Sequence, residues 1–213
     1  MTEEKDAILK GDEKNVFFYI PDISGFTEFI QHTNLKQGAE IIHDLLEVII
    51  DSNILNLKIA EIQGDSIWFY RFGYPVTLAE LEKQTVKTFT DFLYALSELE
   101  EKYAVPEGLK NLTLKIVVHY GNVSTTVVKG TLKIIGPDTV IAHRLMKNNI
   151  PGHEYLLMTE QYLETQSDSK GPLKNFRWDK LRAGSCYYEH LGNIEYRFVS
   201  LTSLRHKIHQ AFR

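Results

Sequence analysis

Apolar residues recur at helical spacing over residues 37–51 and again over 78–103, and two short strand-like runs, 54–62 and 66–71, lie between them. In the first helix the stripe is Ile41, Ile42, Leu45, Leu46, Val48 and Ile49; in the second it includes Leu81, Val86, Phe89, Phe92, Leu93, Leu96 and Leu99. A helix with one apolar stripe must lay it against another element. The two runs meet across Gln63-Gly64-Asp65, a Gly-Asp turn signal that predicts a hairpin. Helix, hairpin, helix breaks strict strand–helix alternation, so the expected class is α+β.

The rest of the chain fits that class. Residues 15–20 (NVFFYI) read as a strand ending at Pro21-Asp22, and Ser24-Gly25 lead into a helix over 26–32. Pro106 and Gly108 stop the long helix. Residues 112–119 and 122–128 read as a strand pair turning at Tyr120-Gly121, with a third short strand at 132–135. Pro137 suits the first turn of a helix over 138–147. A strand at 155–158, a short helix at 159–165, a loop at 166–171, a hairpin around Gly192-Asn193 and a helix over 203–213 complete the reading. Residues 1–14 are polar and expected to fray, leaving one domain over 15–201 and an appended helix over 202–213.

Composition narrows the function classes. The 213 residues carry 24 Lys+Arg against 28 Asp+Glu, a net charge of -4, which gives no electrostatic case for nucleic acid as a partner. No run approaches the roughly 18 consecutive apolar residues of a membrane helix. The charged N-terminus is not a secretory signal. A single cysteine, Cys186, makes neither an internal disulfide nor a thiolate metal cage, and a cytoplasmic protein is expected. The eight histidines include no HExxH-like pair; His119 is expected to pack at a strand end. Trp68, Phe69 and Tyr70 are expected in the core or an interface. The stretch 174–182 (KNFRWDKLR) is expected to be a solvated loop.

Three segments carry candidate chemistry. In FFYIPDISGFTEF an aspartate and a glycine-containing loop join a strand to a helix. Asp22 there can hold a divalent cation while helix-start amides face phosphate oxygens; equally, Asp22 and Ser24 can satisfy turn and cap donors. In EIQGDSIWF strand alternation puts Glu61, Gln63 and Asp65 on one face, and Asp65 is either a second metal carboxylate or a turn residue. In IIGPDTVIAHRLMKNNIPG, Arg144 can present its guanidinium to a phosphate or make a surface salt bridge.

In this order and spacing, DISGFT, the Gly64-Asp65 hairpin, HYGNV and G-x-x-x-V-x-A-x-R over 136–144 resemble the catalytic domain of the class III nucleotidyl cyclases, the adenylate and guanylate cyclase fold. The resemblance covers residues 15–160 and extends over the terminal hairpin to 201. In the segments EIxGDxIxFY and HRLxKNxI the chain resembles an uncharacterised, divergent branch of that superfamily.

The resemblance implies a ferredoxin-like βαββαβ core, and a homodimer with active sites at the interface. It implies two divalent cations, Mg²⁺ or Mn²⁺, held by Asp22, Asp65 and the carbonyl of Ile23. Amides around Gly25, Phe26 and Thr27 would contact a nucleoside triphosphate, and Arg144 of the other subunit would stabilise charge developing on the phosphates. The reaction would be attack of the ribose 3′-hydroxyl on the α-phosphorus, yielding a signalling 3′,5′-cyclic monophosphate and pyrophosphate. Glu61 and Lys133 occupy the base-reading positions. A carboxylate accepts from N1–H and the amine of guanine, which favours GTP, while Lys133 can meet O6 of guanine or O2 of a pyrimidine. Two departures stand against this. The ribose-orienting Asn falls at Val140, and the triphosphate-binding Lys of the terminal hairpin falls near His190 or Leu191, with Lys180 and Arg182 as stand-ins. The alternative is therefore a catalytically inactive module binding a nucleotide or a protein partner.

Overall fold

The computed structural model describes residues 13–103, 108–166 and 176–211. The expected frayed residues 1–12, Pro106, the loop positions 167–171, Lys174 and Asn175, and the last two residues of the chain lie outside them. The strands are β1 (Lys14–Ser24), β2 (Lys58–Gln63), β3 (Ser66–Phe72), β4 (Thr113–Val128), β5 (Thr131–Ile135), β6 (Tyr155–Thr159), β7 (Arg182–Tyr188) and β8 (Gly192–Ser200). The α-helices are α1 (Phe26–His32), α2 (Leu35–Asp51), α3 (Leu78–Lys102), α4 (Pro137–Leu145), α5 (Glu160–Glu164) and α6 (Thr202–Ala211). None of these helices is long and apolar enough to cross a membrane.

The sheet order is β2-β3-β1-β4-β6-β8-β7, with β5 pairing onto β4. Only β4 and β6 run parallel. The first four strands, with α1–α2 and α3 as crossovers, are the expected ferredoxin-like βαββαβ unit. Alternation along β1 divides the core. Phe17 and Tyr19 face α2 and α3, packing with Ile41, Leu45, Phe89, Phe92 and Leu96. Val16, Phe18 and Ile20 face the other way, toward Trp68 and the α4 residues Ile141, Ala142 and Leu145. The long helix α3 starts with a capping box, in which Thr77 and Glu80 satisfy each other's backbone donors.

Five details differ from the sequence reading. In the stretch expected as a solvated loop, Phe176 and Trp178 are buried in the core and Arg182 opens β7. β1 does not stop at Ile20: it pairs with β4 without a break from Lys14 to Ser24, so Pro21 and Asp22 lie inside a strand. The strand expected from residue 54 begins at Lys58. Residues 112–128 hold no turn. Tyr120 and Gly121 sit mid-strand opposite Phe17 and Val16, and a Cβ on Gly121 would lie 2.1 Å from the Asp138 carboxyl carbon, so this glycine makes room for a side chain rather than reversing the chain. His119 is correspondingly a fully buried mid-strand residue, not a strand-end one.

Candidate functional site

Asp22 sits where β1 is paired on both sides, opposite Ser66 of β3 and Lys115 of β4. The β2–β3 turn brings Asp65 beside it: the Ile23 amide donates to the Asp65 carbonyl at 3.1 Å. An amide and a carbonyl of one strand residue leave the same edge, so the Ile23 carbonyl also faces the hairpin tip. Gly64 makes that tip possible, with a left-handed φ of 60°. The Lys115 ammonium lies 3.2 Å from Asp22 Oδ1. Burial pushes the Asp22 carboxyl up to about 6; Lys115 opposes this shift and the Asp65 charge adds to it. Burial likewise raises Asp65. Among the described residues no third His, Cys, Asp or Glu joins the pair.

The pair opens onto a cavity of about 880 Å³ that runs along Gly25, Phe26 and Thr27 to Lys110 and Arg205. Gly25 is the N-cap of α1, in the left-handed conformation (φ 88°), and no side chain caps this helix. A Cβ there would lie 3.0 Å from the Asn111 carbonyl oxygen. The capping role open to Asp22 and Ser24 is therefore not taken up: Asp22 is in the strand, and the buried Ser24 hydroxyl has no partner among the described residues. On the far wall Arg205 bonds Thr113 at 2.9 Å and is paired to Glu154. Burial pushes Glu154 up, but hydrogen bonds from Arg205 and Thr113 hold it below the usual carboxylate range.

A second cavity, about 560 Å³, joins Asp22, Gln63 and Asp65 to Trp68, Arg144 and Lys147. Arg144 is exposed in the last turn of α4 and makes no ion pair among the described residues, so the surface salt bridge open to it in sequence is absent there. Asp138 anchors that helix. It bonds His119 Nε2 at 2.9 Å and accepts from the Asn122 amide at 2.7 Å, while His119 Nδ1 meets Thr159 Oγ1 at 3.0 Å. Burial pushes Asp138 up, yet these bonds and the His119 charge hold it below its ordinary value. Tyr188 secures the other end of α4, its hydroxyl donating to the Arg144 carbonyl at 3.0 Å.

The two positions expected to read a base also meet. Glu61 Oε2 is 3.8 Å from Lys133 Nζ, and Glu61 Oε1 is 3.7 Å from His143 Nε2. The register shift in β2 falls before Glu61, between Ile59 and Glu61, so Glu61 to Gln63 pair unbroken with Trp68 to Ser66 and the expected shared face of Glu61 and Gln63 holds; Gln63 and Asp65 line the second cavity and Glu61 does not. Val140 is exposed on α4. The hairpin stand-ins are elsewhere: His190 pairs with Glu189 and Arg182 with Asp179, and neither lines either cavity. Sequence reasoning missed Lys115, Lys110, Arg205 and His143. Only the pairing register of β1 with β4 reveals Lys115, since it stands directly across from Asp22.

Solved structures share this fold. The guanylyl cyclase Cya2 aligns with a TM-score of 0.61 and 12% identity over 90% of this chain and 94% of that one. The adenylyl cyclase CyaB from P. aeruginosa gives 0.56 and 15% over 90% and 97%. The guanylate cyclase domain of RhGC from Catenaria anguillulae, solved with GTP, gives 0.59 and 13% over 89% and 98%. The fold is thus that of the class III nucleotidyl cyclase catalytic domains. In sequence, the chain is 28% identical over 130 residues to the uncharacterized protein Rv2561/Rv2562 of Mycobacterium tuberculosis, a match covering 59% of this chain and 60% of that protein's length. The model of the family described as a protein of unknown function, DUF2652, matches residues 42–155, more than half of the chain, and the protein belongs to that family.

Proposed function

We propose that this protein is a metal-dependent nucleotidyl cyclase that converts a nucleoside triphosphate to a 3′,5′-cyclic monophosphate and pyrophosphate at a homodimer interface. The observation that carries the reading is the half-buried Asp22–Asp65 pair opening onto a cavity lined by the uncapped start of α1. The pair fits divalent cations. Both carboxyls are raised by burial, and added positive charge relieves that cost. Mg²⁺ is commonly held by one or two carboxylates together with substrate phosphates, so two carboxylates and the Ile23 carbonyl suffice. When bound, such ions lower the pKa of the attacking hydroxyl and offset phosphate charge.

The chain's own residues supply the rest. Amides at Gly25, Phe26 and Thr27 offer donors to phosphate oxygens, with Lys115 and Lys110 adding charge beside them. Arg144, unpaired among the described residues, is free to meet charge developing on the α-phosphate. Glu61 and Lys133 read the base, with guanine favoured. The second reading, a catalytically inactive nucleotide-binding module, is supported by Val140, which has no donor or acceptor for the ribose.

The test is incubation of purified protein with Mn²⁺ and each of ATP, GTP, CTP and UTP, with mass spectrometry for cyclic monophosphates and Asp22→Ala as control. A product lost in that variant is expected. Folded protein that binds a nucleotide but yields no cyclic product overturns the cyclase reading in favour of the binding module.

A further inference from the structure

The nucleotide reading leaves one cluster member unexplained. His143 lies in the last turn of α4, and its ring stacks on Trp68 with centroids 3.9 Å apart and planes inclined by 31°. Trp68 is almost wholly buried, stands directly across from Glu61 in the β2–β3 register, and has no partner for its indole N–H among the described residues. Three elements therefore converge on one carboxylate: β2 carries Glu61, β5 brings Lys133 to one oxygen, and α4 brings His143 to the other.

The distances decide what this arrangement does. At 3.7 and 3.8 Å both nitrogens are in ion-pair range but beyond hydrogen-bond length. They orient the carboxylate without occupying its lone pairs, of which it has about four. A glutamate on an exposed strand otherwise samples many rotamers, and an unoriented carboxylate discriminates poorly between bases. His143 is fixed in turn by the flat face of Trp68. Burial pulls its imidazole below the usual histidine range and the Glu61 charge pushes it back up, so the ring and the carboxylate are electrostatically coupled.

Resting on the nucleotide reading above, we propose that His143 is a specificity-determining positioning residue: stacked on Trp68, it holds Glu61 so that its carboxylate accepts from the adjacent N–H donors of guanine's Watson–Crick edge. Adenine presents an acceptor at N1 and would leave that held carboxylate facing a lone pair.

The experiment is equilibrium binding of fluorescent ribose-labelled GTP and ATP analogues, with Mn²⁺, to wild type, His143→Ala, His143→Phe, Glu61→Gln and the Glu61→Gln/His143→Ala double variant. His143→Phe keeps a ring on Trp68 and removes only the nitrogen, which separates orientation from packing. Wild type should prefer the guanine analogue. Both His143 variants should narrow the guanine-to-adenine affinity ratio by about tenfold, chiefly through weaker guanine binding, and the double variant should go no further than Glu61→Gln. A wild-type preference that survives in folded His143→Phe overturns the proposal and leaves the nucleotide reading standing, as does wild type that binds both analogues equally. Wild type that binds neither overturns both.

Discussion

Lys115 is the only lysine or arginine in ion-pair contact with Asp22 among the described residues. Asp22 and Asp65 are each raised by burial, and Lys115 counters the shift at both. Removing it leaves two carboxylates facing one another in a poorly solvated pocket. Lys115→Met should therefore destabilise the metal-free protein by about 2 kcal/mol, the scale of breaking a partly buried pair. Millimolar Mn²⁺ should return more stability to this variant than to wild type, because an added cation does what the lysine did. Thermal unfolding with and without Mn²⁺ checks both parts; a variant as stable as wild type in EDTA would show that the pair contributes nothing. Asp22 and Asp65 were legible in sequence because each sits in a short motif that keeps its spacing. Lys115 was not, because its role is fixed by which residue lies across the sheet, and register between distant strands has no local signal.

Helix α4 carries Arg144 and His143, and its seat on the sheet depends on one half-buried carboxylate. Asp138 fits over Gly121, where any Cβ would enter its carboxyl group. Gly121→Ala should cost about 2 kcal/mol or more, or else lift α4 from β4 and weaken nucleotide binding in step with stability. Chemical denaturation alongside binding of a fluorescent nucleotide measures both. The pH dependence follows from the direction of the Asp138 shift. Its folded pKa lies below the ordinary 3.8, so its ionised form contributes stability that is full above that value and is lost as pH falls through the lower folded one. Asp138→Asn should accordingly be less stable than wild type at pH 7, and the gap should close under strongly acid conditions; denaturation midpoints across pH read this directly. The same glycine explains the misread turn. A Tyr-Gly pair between apolar runs usually breaks a strand, and only the carboxylate packed over Gly121 shows why this one does not. Helices were legible almost to the residue because their stripes and caps are local, as at Leu78–Lys102 and Phe26–His32.

At the scale of the whole molecule, the arrangement of the two cavities poses a question about where each site's parts come from. Near Glu61 the exposed apolar side chains are Ile135 on β5 and Val140 on α4, 53% and 46% exposed, while Ile59 and Ile62 pair with Phe69 and Ile67 and lie on the other face of the sheet. Apolar residues gathered beside a polar cluster mark an interaction surface rather than a solvated one. The proposed homodimer would set one chain's Asp22–Asp65 pair against the other chain's Arg144, Glu61 and Lys133. Yet Arg144 also borders the same cavity as Asp22 and Asp65 within one chain, so the guanidinium can serve its own carboxylates or its partner's. Sedimentation should find a dimer that Ile135→Glu converts to a folded monomer. Mixing Asp65→Ala with Arg144→Ala chains then separates the two geometries. With Arg144 acting across the interface, each mixed dimer holds one intact site, and random exchange between the two inactive proteins should restore about a quarter of wild-type product formation. With Arg144 acting in its own chain, every site in the mixture lacks one group and no product returns. Recovery is the expected result for the proposed homodimer, in which the exposed Arg144 serves its partner's carboxylates.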